Sequence, residues 1–258
     1  MSAARSSAGS LPAAATDEVI WHDVENGGYG ADLHLWESLA REHPGGVVDL
    51  GAGTGRVALH LAASGHRVTA VDDDPDLLAV LESRAAERGL EVETVCCDVR
   101  SLELPRPNPL ILAPMQLLHI LGGDDGRRRA LAAIARCLSP AGRFHAAVLA
   151  EPLPIGTSRP EPIPDVREVE GSIYSSLPTE IRIDVTSIRM RRLRQIVGPA
   201  GELTERPTSI TMDRFTLAQL DREAIAAGME IGIVGGERIP STERYEDSVV
   251  AMMGRADG

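Results

Sequence analysis

The residues best placed to do chemistry fall in three short runs. The first is Val47-Val48-Asp49-Leu50-Gly51-Ala52-Gly53-Thr54-Gly55. A glycine-rich turn between an apolar strand and a helix lets backbone approach a ligand closely and aims free helix N–H groups at it. Spacing then selects among ligands. The dinucleotide fingerprint needs a third glycine three residues after the second, and position 56 is Arg; a phosphate loop needs Gly-Lys-Ser/Thr, and the chain has no lysine. The second run ends in Asp72, roughly 20 residues past Gly51, where a carboxylate at a strand tip can accept from both ribose hydroxyls of a nucleoside; Asp73 lies beside it. The third is Asp98-Val99, just past another apolar run. There the carboxylate can accept from an adenine amino group while the Val99 N–H meets a ring nitrogen. All three fall at carboxyl ends of strands expected to be parallel, where open α/β sheets take ligands.

The elements that must carry these residues follow from hydropathy patterning. Asp32–Arg41 has the apolar spacing of an amphipathic helix. Strands are expected over Gly46–Leu50, Arg67–Val71, Glu91–Cys96, Leu110–Ala113 and Arg143–Leu149. Between them lie helices over Arg56–Ser64, Pro75–Arg88 (capped by Asp74, with Gly89 after it) and Gly126–Leu138. This alternation implies right-handed βαβ units and a parallel sheet. After residue 150 the pattern changes. Glu151–Pro164 holds five prolines and reads as an irregular loop. Ile181–Val197 and Leu203–Phe215, around Gly198-Pro199-Ala200-Gly201, predict an antiparallel hairpin. Thr216–Ala227 is a helix, with Met229–Val234 and Ser248–Met253 as closing strands.

Composition narrows the partners. The 258 residues, 43% hydrophobic, suit one α/β domain, and the net charge of −12 opposes general affinity for nucleic acid or anionic membranes. The four arginines 189, 191, 192 and 194 are therefore read as a strand face pairing with nearby acids, rather than as an acidic-substrate or nucleic-acid patch. All basic residues are Arg, which removes lysine Schiff-base chemistry. Cys96, Cys97 and Cys137 have no metal-ligand spacing and are expected to be free thiols. No metal site is expected. Residues 1–16 read as a disordered lead-in without a secretory apolar core, which places the protein in the cytoplasm, and no apolar run is long enough to span a bilayer.

Residues 44–150 resemble the core of the class I S-adenosylmethionine (SAM)-dependent methyltransferases. Asp49-Leu50-Gly51-Ala52-Gly53-Thr54-Gly55-Arg56 resembles that family's first motif, Val71-Asp72-Asp73-Asp74-Pro75 its second and Cys97-Asp98-Val99 its third. Ser139-Pro140-Ala141-Gly142-Arg143 resembles the turn before its fifth strand. The resemblance implies a Rossmann-like seven-stranded, mostly parallel sheet with helices on both faces and its last strand antiparallel, with the antiparallel β-hairpin inserted after strand five. It implies a helical cover over 17–43, a core over 44–150, an insertion over 151–215 serving as substrate lid or homodimer contact, and a C-terminal helix and strands over 216–258.

It also implies roles. Gly51 and Gly53 would line the methionine part of SAM, with Gly55 and Ala113 beside them; Asp49 would meet its amino group, Asp72 and Asp73 its ribose, and Asp98 with Val99 its adenine. Tyr29 would cover the cofactor, and Trp21 and His22 would be lid residues touching substrate. The acceptor would lie beyond the fourth strand, which makes His119 the candidate catalytic base and Gln116 a candidate substrate contact; His145, mid-strand, reads as packed core. The Asn/Asp-Pro-Pro-Tyr/Phe signature of nucleobase methylation is absent from this segment. The implied activity is methyl transfer from SAM to an O, N or C atom of a small metabolite, leaving S-adenosylhomocysteine. The alternatives are a non-methylating cyclisation or rearrangement by a SAM-binding enzyme of the same fold, or a non-catalytic SAM-binding protein.

Overall fold

A computed structural model describes residues 17–149, 154–160, 163–238 and 248–255. The lead-in 1–16 and parts of the proline-rich loop lie outside them. In chain order the helices are α1 (Asp17–Asn26), α2 (Leu33–Glu42), α3 (Arg56–Ala63), α4 (Pro75–Glu87), α5 (Gly123–Cys137) and α6 (Leu217–Ala226). The first five strands are β1 (Val47–Leu50), β2 (Val68–Asp72), β3 (Val92–Cys96), β4 (Asn108–Ala113) and β5 (Leu138–Leu149). They are followed by β6 (Gly156–Ser158), β7 (Asp165–Val169), β8 (Ser172–Ile183), β9 (Ser187–Val197), β10 (Leu203–Asp213), β11 (Met229–Arg238) and β12 (Ser248–Arg255).

Local chemistry sets several boundaries. The Asp74 carboxylate accepts from the N–H groups of Asp76 and Leu77 at 2.9 and 3.3 Å, so the first turn of α4 has its free donors satisfied, and Pro75 needs none. Thr216 and Gln219 close a reciprocal capping box at the start of α6.

Seven strands form the main sheet in the order β11-β12-β5-β4-β1-β2-β3. The five from β1 to β5 run parallel, and β12 is antiparallel to both neighbours, as expected for the last strand. Alternate side chains feed two cores. Val47, Leu110 and Leu112 pack with Trp36, Leu61 and Leu81 from α2, α3 and α4. Val48, Leu50 and Ile111 pack with Leu131, Ile134 and Leu220 from α5 and α6. Each such side chain contributes roughly 1.5–3 kcal/mol by leaving water. This two-sided burial explains why β1 is apolar throughout except for Asp49.

The insertion is larger than the hairpin expected from sequence. It is a five-stranded antiparallel sheet of order β10-β9-β8-β6, with β7 pairing to the first half of β8. The Ile181–Val197 run is two strands, because the chain turns at Asp184-Val185-Thr186, where the Asp184 N–H donates to the Ser187 carbonyl at 2.8 Å. The start of β8 carries serines and Pro178, and register shifts between Pro178 and Glu180, so its strand pattern was weak. No helix among the described residues is long and apolar enough to cross a membrane.

Candidate active site

The glycine turn sits where β1 passes into α3. Gly51, Gly53 and Gly55 all have positive φ, at +67°, +53° and +93°. At Gly55 a Cβ would lie within 3.0 Å of the Leu81 and Leu59 side chains, so glycine is needed for α3 and α4 to pack against the turn. At Gly53 the obstacle is His22, whose imidazole would be 2.5–2.6 Å from a Cβ there. Helix α1 thus rests directly on the turn.

The tip of β2 lies beside it. Asp72 accepts from the Gly53 N–H at 2.8 Å and from the Asp74 N–H at 3.0 Å. Burial pushes its carboxyl above the ordinary carboxylate range; those two hydrogen bonds act against the shift. Asp73 is exposed. At the next strand tip Asp98 caps the 3-10 turn Val99–Ser101 through the Arg100 N–H at 2.8 Å, and grips the Arg100 guanidinium at 2.5–2.9 Å. That guanidinium holds Asp98 below the ordinary carboxylate range. Asp49, within β1, is 1% exposed, and burial pushes its carboxyl up to about 7; Arg56 and a hydrogen bond from the Ala58 backbone act against the shift. Since β1, β2 and β3 are neighbours, the glycine turn, Asp72 and Asp98 form a row along one edge of the sheet's carboxyl end.

The N-terminal cover is tied down by charge. Asp23, 2% exposed, accepts from Thr54 Oγ1 at 2.7 Å and from Arg84 of α4, and forms an ion pair with Arg167 of β7 at 2.9 Å. Burial alone would raise its pKa, but the bonds from Arg84 and Thr54 outweigh it and hold the carboxyl low. Glu25 accepts from Arg194 at 2.9 Å and from Ser176 at 2.7 Å, and Glu18 accepts from Arg194 and Arg206 at 2.9 and 3.1 Å. Trp21 meets Tyr174 edge-on at 5.2 Å, with Arg194 over its ring. Helix α1 is therefore held between the glycine turn and the insertion sheet. His22 is half-buried against Gly53, burial lowers its pKa against the pull of Asp23 and Asp72, and its buried Nδ1 has no partner among the described residues.

Residues 47–142 match the family model described as a methyltransferase domain. The curated relatives that match include the cypemycin N-terminal methyltransferase of a Streptomyces species, 34% identical over 114 residues that cover 44% of this chain and 46% of that protein. The chain spans about half the length of the curated relatives it matches. Solved structures align over nearly the whole chain. The sugar N-methyltransferase KedS8 from Streptoalloteichus has a TM-score of 0.74 at 16% identity and covers 100% of this chain and 99% of its own. SAM-bound CalS10, an amino pentose methyltransferase from Micromonospora echinaspora, has a TM-score of 0.68 at 19% identity, covering 92% and 97%.

Residues 47–142 are a methyltransferase domain.

The fold around it is the class I, Rossmann-like one. On this methyltransferase domain the sequence-predicted cofactor residues Gly51, Gly53, Gly55, Asp72 and Asp98 come together at adjacent strand tips, with Val99 in the turn that Asp98 caps. Ala113 ends β4 and is fully buried. Tyr29 is buried, and its carbonyl accepts from Arg56 at 3.1 Å while Arg56 lies over its ring. Trp21 packs away from the turn against the insertion, whereas His22 lies on the turn.

The segment after β4 is built differently. Gln116 follows β4 at φ +54°, a left-handed conformation rare outside glycine, and its Nε2 donates to Ser248 Oγ of β12 at 2.9 Å. Leu117 reaches over Gly51. His119 is 1% exposed, and both ring nitrogens are engaged: Nδ1 lies 2.8 Å from the Asp213 carbonyl, and the Leu149 N–H donates to Nε2 at 3.2 Å. His145 is buried edge-on to His43 at 5.8 Å, and burial lowers its pKa to about 4.

Sequence reasoning missed Arg56, Arg84 and Arg100. Arg56 reads from the sequence as the end of the first motif and as a missing glycine, with no partner assigned; it pairs with Asp32 at 2.5 and 2.9 Å and links α3 to the cover. An arginine two residues after a strand-tip acid was the available signal for Arg100. The arginines of β9 split: Arg192 and Arg194 face α1 and pair with its acids, and Arg191 pairs with Glu180.

Proposed function

We propose that this chain is a SAM-dependent methyltransferase that methylates a small metabolite, on nitrogen in the first instance. The observation that carries the reading is the row of groups on β1, β2 and β3. A turn of three positive-φ glycines lies beside one strand-tip carboxylate and then a second, in the order that the amino-acid, ribose and adenine parts of the cofactor require.

The residues fit that cofactor. Asp72 is half-buried at the ribose position, and the unpartnered Nδ1 of His22, whose imidazole lies where a Cβ on Gly53 would stand, is a buried polar atom on the same turn. When bound, the sulfonium supplies an electrophilic methyl group and a good neutral leaving group. The chain's own contribution is alignment and exclusion of water. Asp72 would hold the ribose, Asp98 and the Val99 N–H the adenine, and Asp49 the amino group. The α1 cover, with Tyr29 and His22, would close the cofactor from solvent.

A neutral amine brings its own lone pair and can lose its surplus proton to solvent after transfer, so it does not require a protein base. That suits His119, whose two nitrogens are already spent on backbone groups. The likeness to a sugar N-methyltransferase and to an amino pentose methyltransferase supports the same acceptor class. The arginines of the inner insertion face are neutralised by α1, which weighs against an acidic acceptor. The net charge of −12 weighs against nucleic acid. Free Cys96, Cys97 and Cys137 suit a reducing, cytoplasmic setting.

The test is incubation with SAM and a panel of amines, alcohols and carbon acids. The proposal expects S-adenosylhomocysteine to form one-for-one with a methylated amine. Turnover of an acceptor without S-adenosylhomocysteine would replace transfer by rearrangement.

A further inference from the structure

The insertion sheet leaves the main sheet after Leu149 and returns at Asp213, and a single side chain touches both crossing points. His119, on the loop after β4, accepts from the Leu149 N–H through Nε2 and donates from Nδ1 to the Asp213 carbonyl. This pattern needs a neutral imidazole with its proton on Nδ1. The ring stacks on Phe215, two residues past Asp213, at 4.1 Å and 16°. Arg127 of α5 also lies over the Phe215 ring at 4.1 Å, and is itself fixed by Glu223 of α6 at 2.5 and 2.8 Å and by Asp124 at 2.8 Å. The second crossing point is bound again where the Gly123 N–H donates to Asp213 Oδ2 at 2.6 Å. Arg214, between Asp213 and Phe215, donates its N–H to the Thr186 carbonyl in the β8–β9 turn, so the crossing point is tied to the adjoining turn of the insertion.

We propose that His119 is a positioning residue: a clasp that joins the two crossing points of the insertion to the loop after β4 and so fixes the five-stranded sheet over the acceptor side. The functional consequence rests on the acceptor reading above, whereas the clasp does not. A packed aliphatic residue of similar size would leave the Leu149 N–H and the Asp213 carbonyl without these partners. A glutamine, which has one donor and one acceptor on a flexible stem, would replace part of the pair.

The experiment is amide hydrogen exchange on the full chain for wild type, His119→Ala and His119→Gln, with S-adenosylhomocysteine affinity measured by calorimetry on each. In His119→Ala, exchange at Leu149 and across β8, β9 and β10 should speed up by about tenfold, as expected for loss of a buried hydrogen-bond pair. The glycine-turn amides and cofactor affinity should stay within about twofold of wild type, because no lost bond reaches them. His119→Gln should recover much of the protection. Unchanged exchange in His119→Ala, or His119→Gln as unprotected as His119→Ala, overturns the clasp. Should His119→Ala not fold, His119→Met fills the same space while removing both hydrogen bonds. Faster exchange in the same strands then supports the clasp, and wild-type rates contradict it. A wild-type protein that takes up no cofactor would defeat the proposed function and leave the exchange result standing.

Discussion

The cofactor edge and the insertion sheet use charge in opposite ways. At the proposed cofactor edge Asp49 is buried and Asp72 half-buried, the charged forms of both are disfavoured, and neither is bound to a guanidinium, whereas Asp98 at the edge's far strand is paired with Arg100. On the inner face of the insertion Arg167, Arg192 and Arg194 are matched by Asp23 and Glu25 of α1. The first region keeps electrostatic strain that a cationic ligand can relieve; the second has already neutralised itself and serves as structure. A carboxylate in need of a partner is therefore a better guide to a ligand here than a row of arginines.

The sharpest way to break this contrast is at Asp23, where the two regions meet. Removing the carboxylate in Asp23→Ala leaves Arg84 and Arg167 facing each other's charge, so urea denaturation should show a loss of about 3–5 kcal/mol. A loss below about 1 kcal/mol would mean that the node is not the structural joint described.

Asp49 should behave in the opposite sense. Its folded-state carboxyl is raised to about 7, so the folded protein prefers the proton and wild-type stability should decline as pH rises from the ordinary carboxylate range through 7. Asn cannot ionise, so Asp49→Asn should gain on wild type by on the order of 2 kcal/mol between pH 5 and pH 8 without ligand. A pH-independent difference would remove the strain argued for the cofactor edge. The smallest effect is expected at Arg191, which is exposed and 3.7 Å from Glu180: Arg191→Ala should change stability by less than about 0.5 kcal/mol.

The same contrast explains what the sequence could show. Cofactor-edge features are largely local: Gly55 is required by its positive φ and by Leu59 of the helix that follows, with Leu81 of α4 the exception, and Asp74 caps the helix that begins at the next residue. Such features leave fixed spacings, so the glycine turn, Asp72, Asp98 and the parallel strands that carry them could be read from the chain. The insertion depends on pairs far apart in sequence, such as Glu25 with Arg194 and His119 with Leu149 and Asp213. No spacing encodes these, which is why five strands read as a hairpin. Arg56 falls between the two cases, sitting inside a legible motif while its partner Asp32 lies outside it.

Calorimetric titration of S-adenosylhomocysteine into wild type and Asp72→Ala tests the central claim most directly. The account predicts one site per chain in wild type, weakened by at least about tenfold when the strand-tip carboxylate is lost, as for a hydrogen bond to a charged group. No binding to wild type, or equal binding to both proteins, would contradict it.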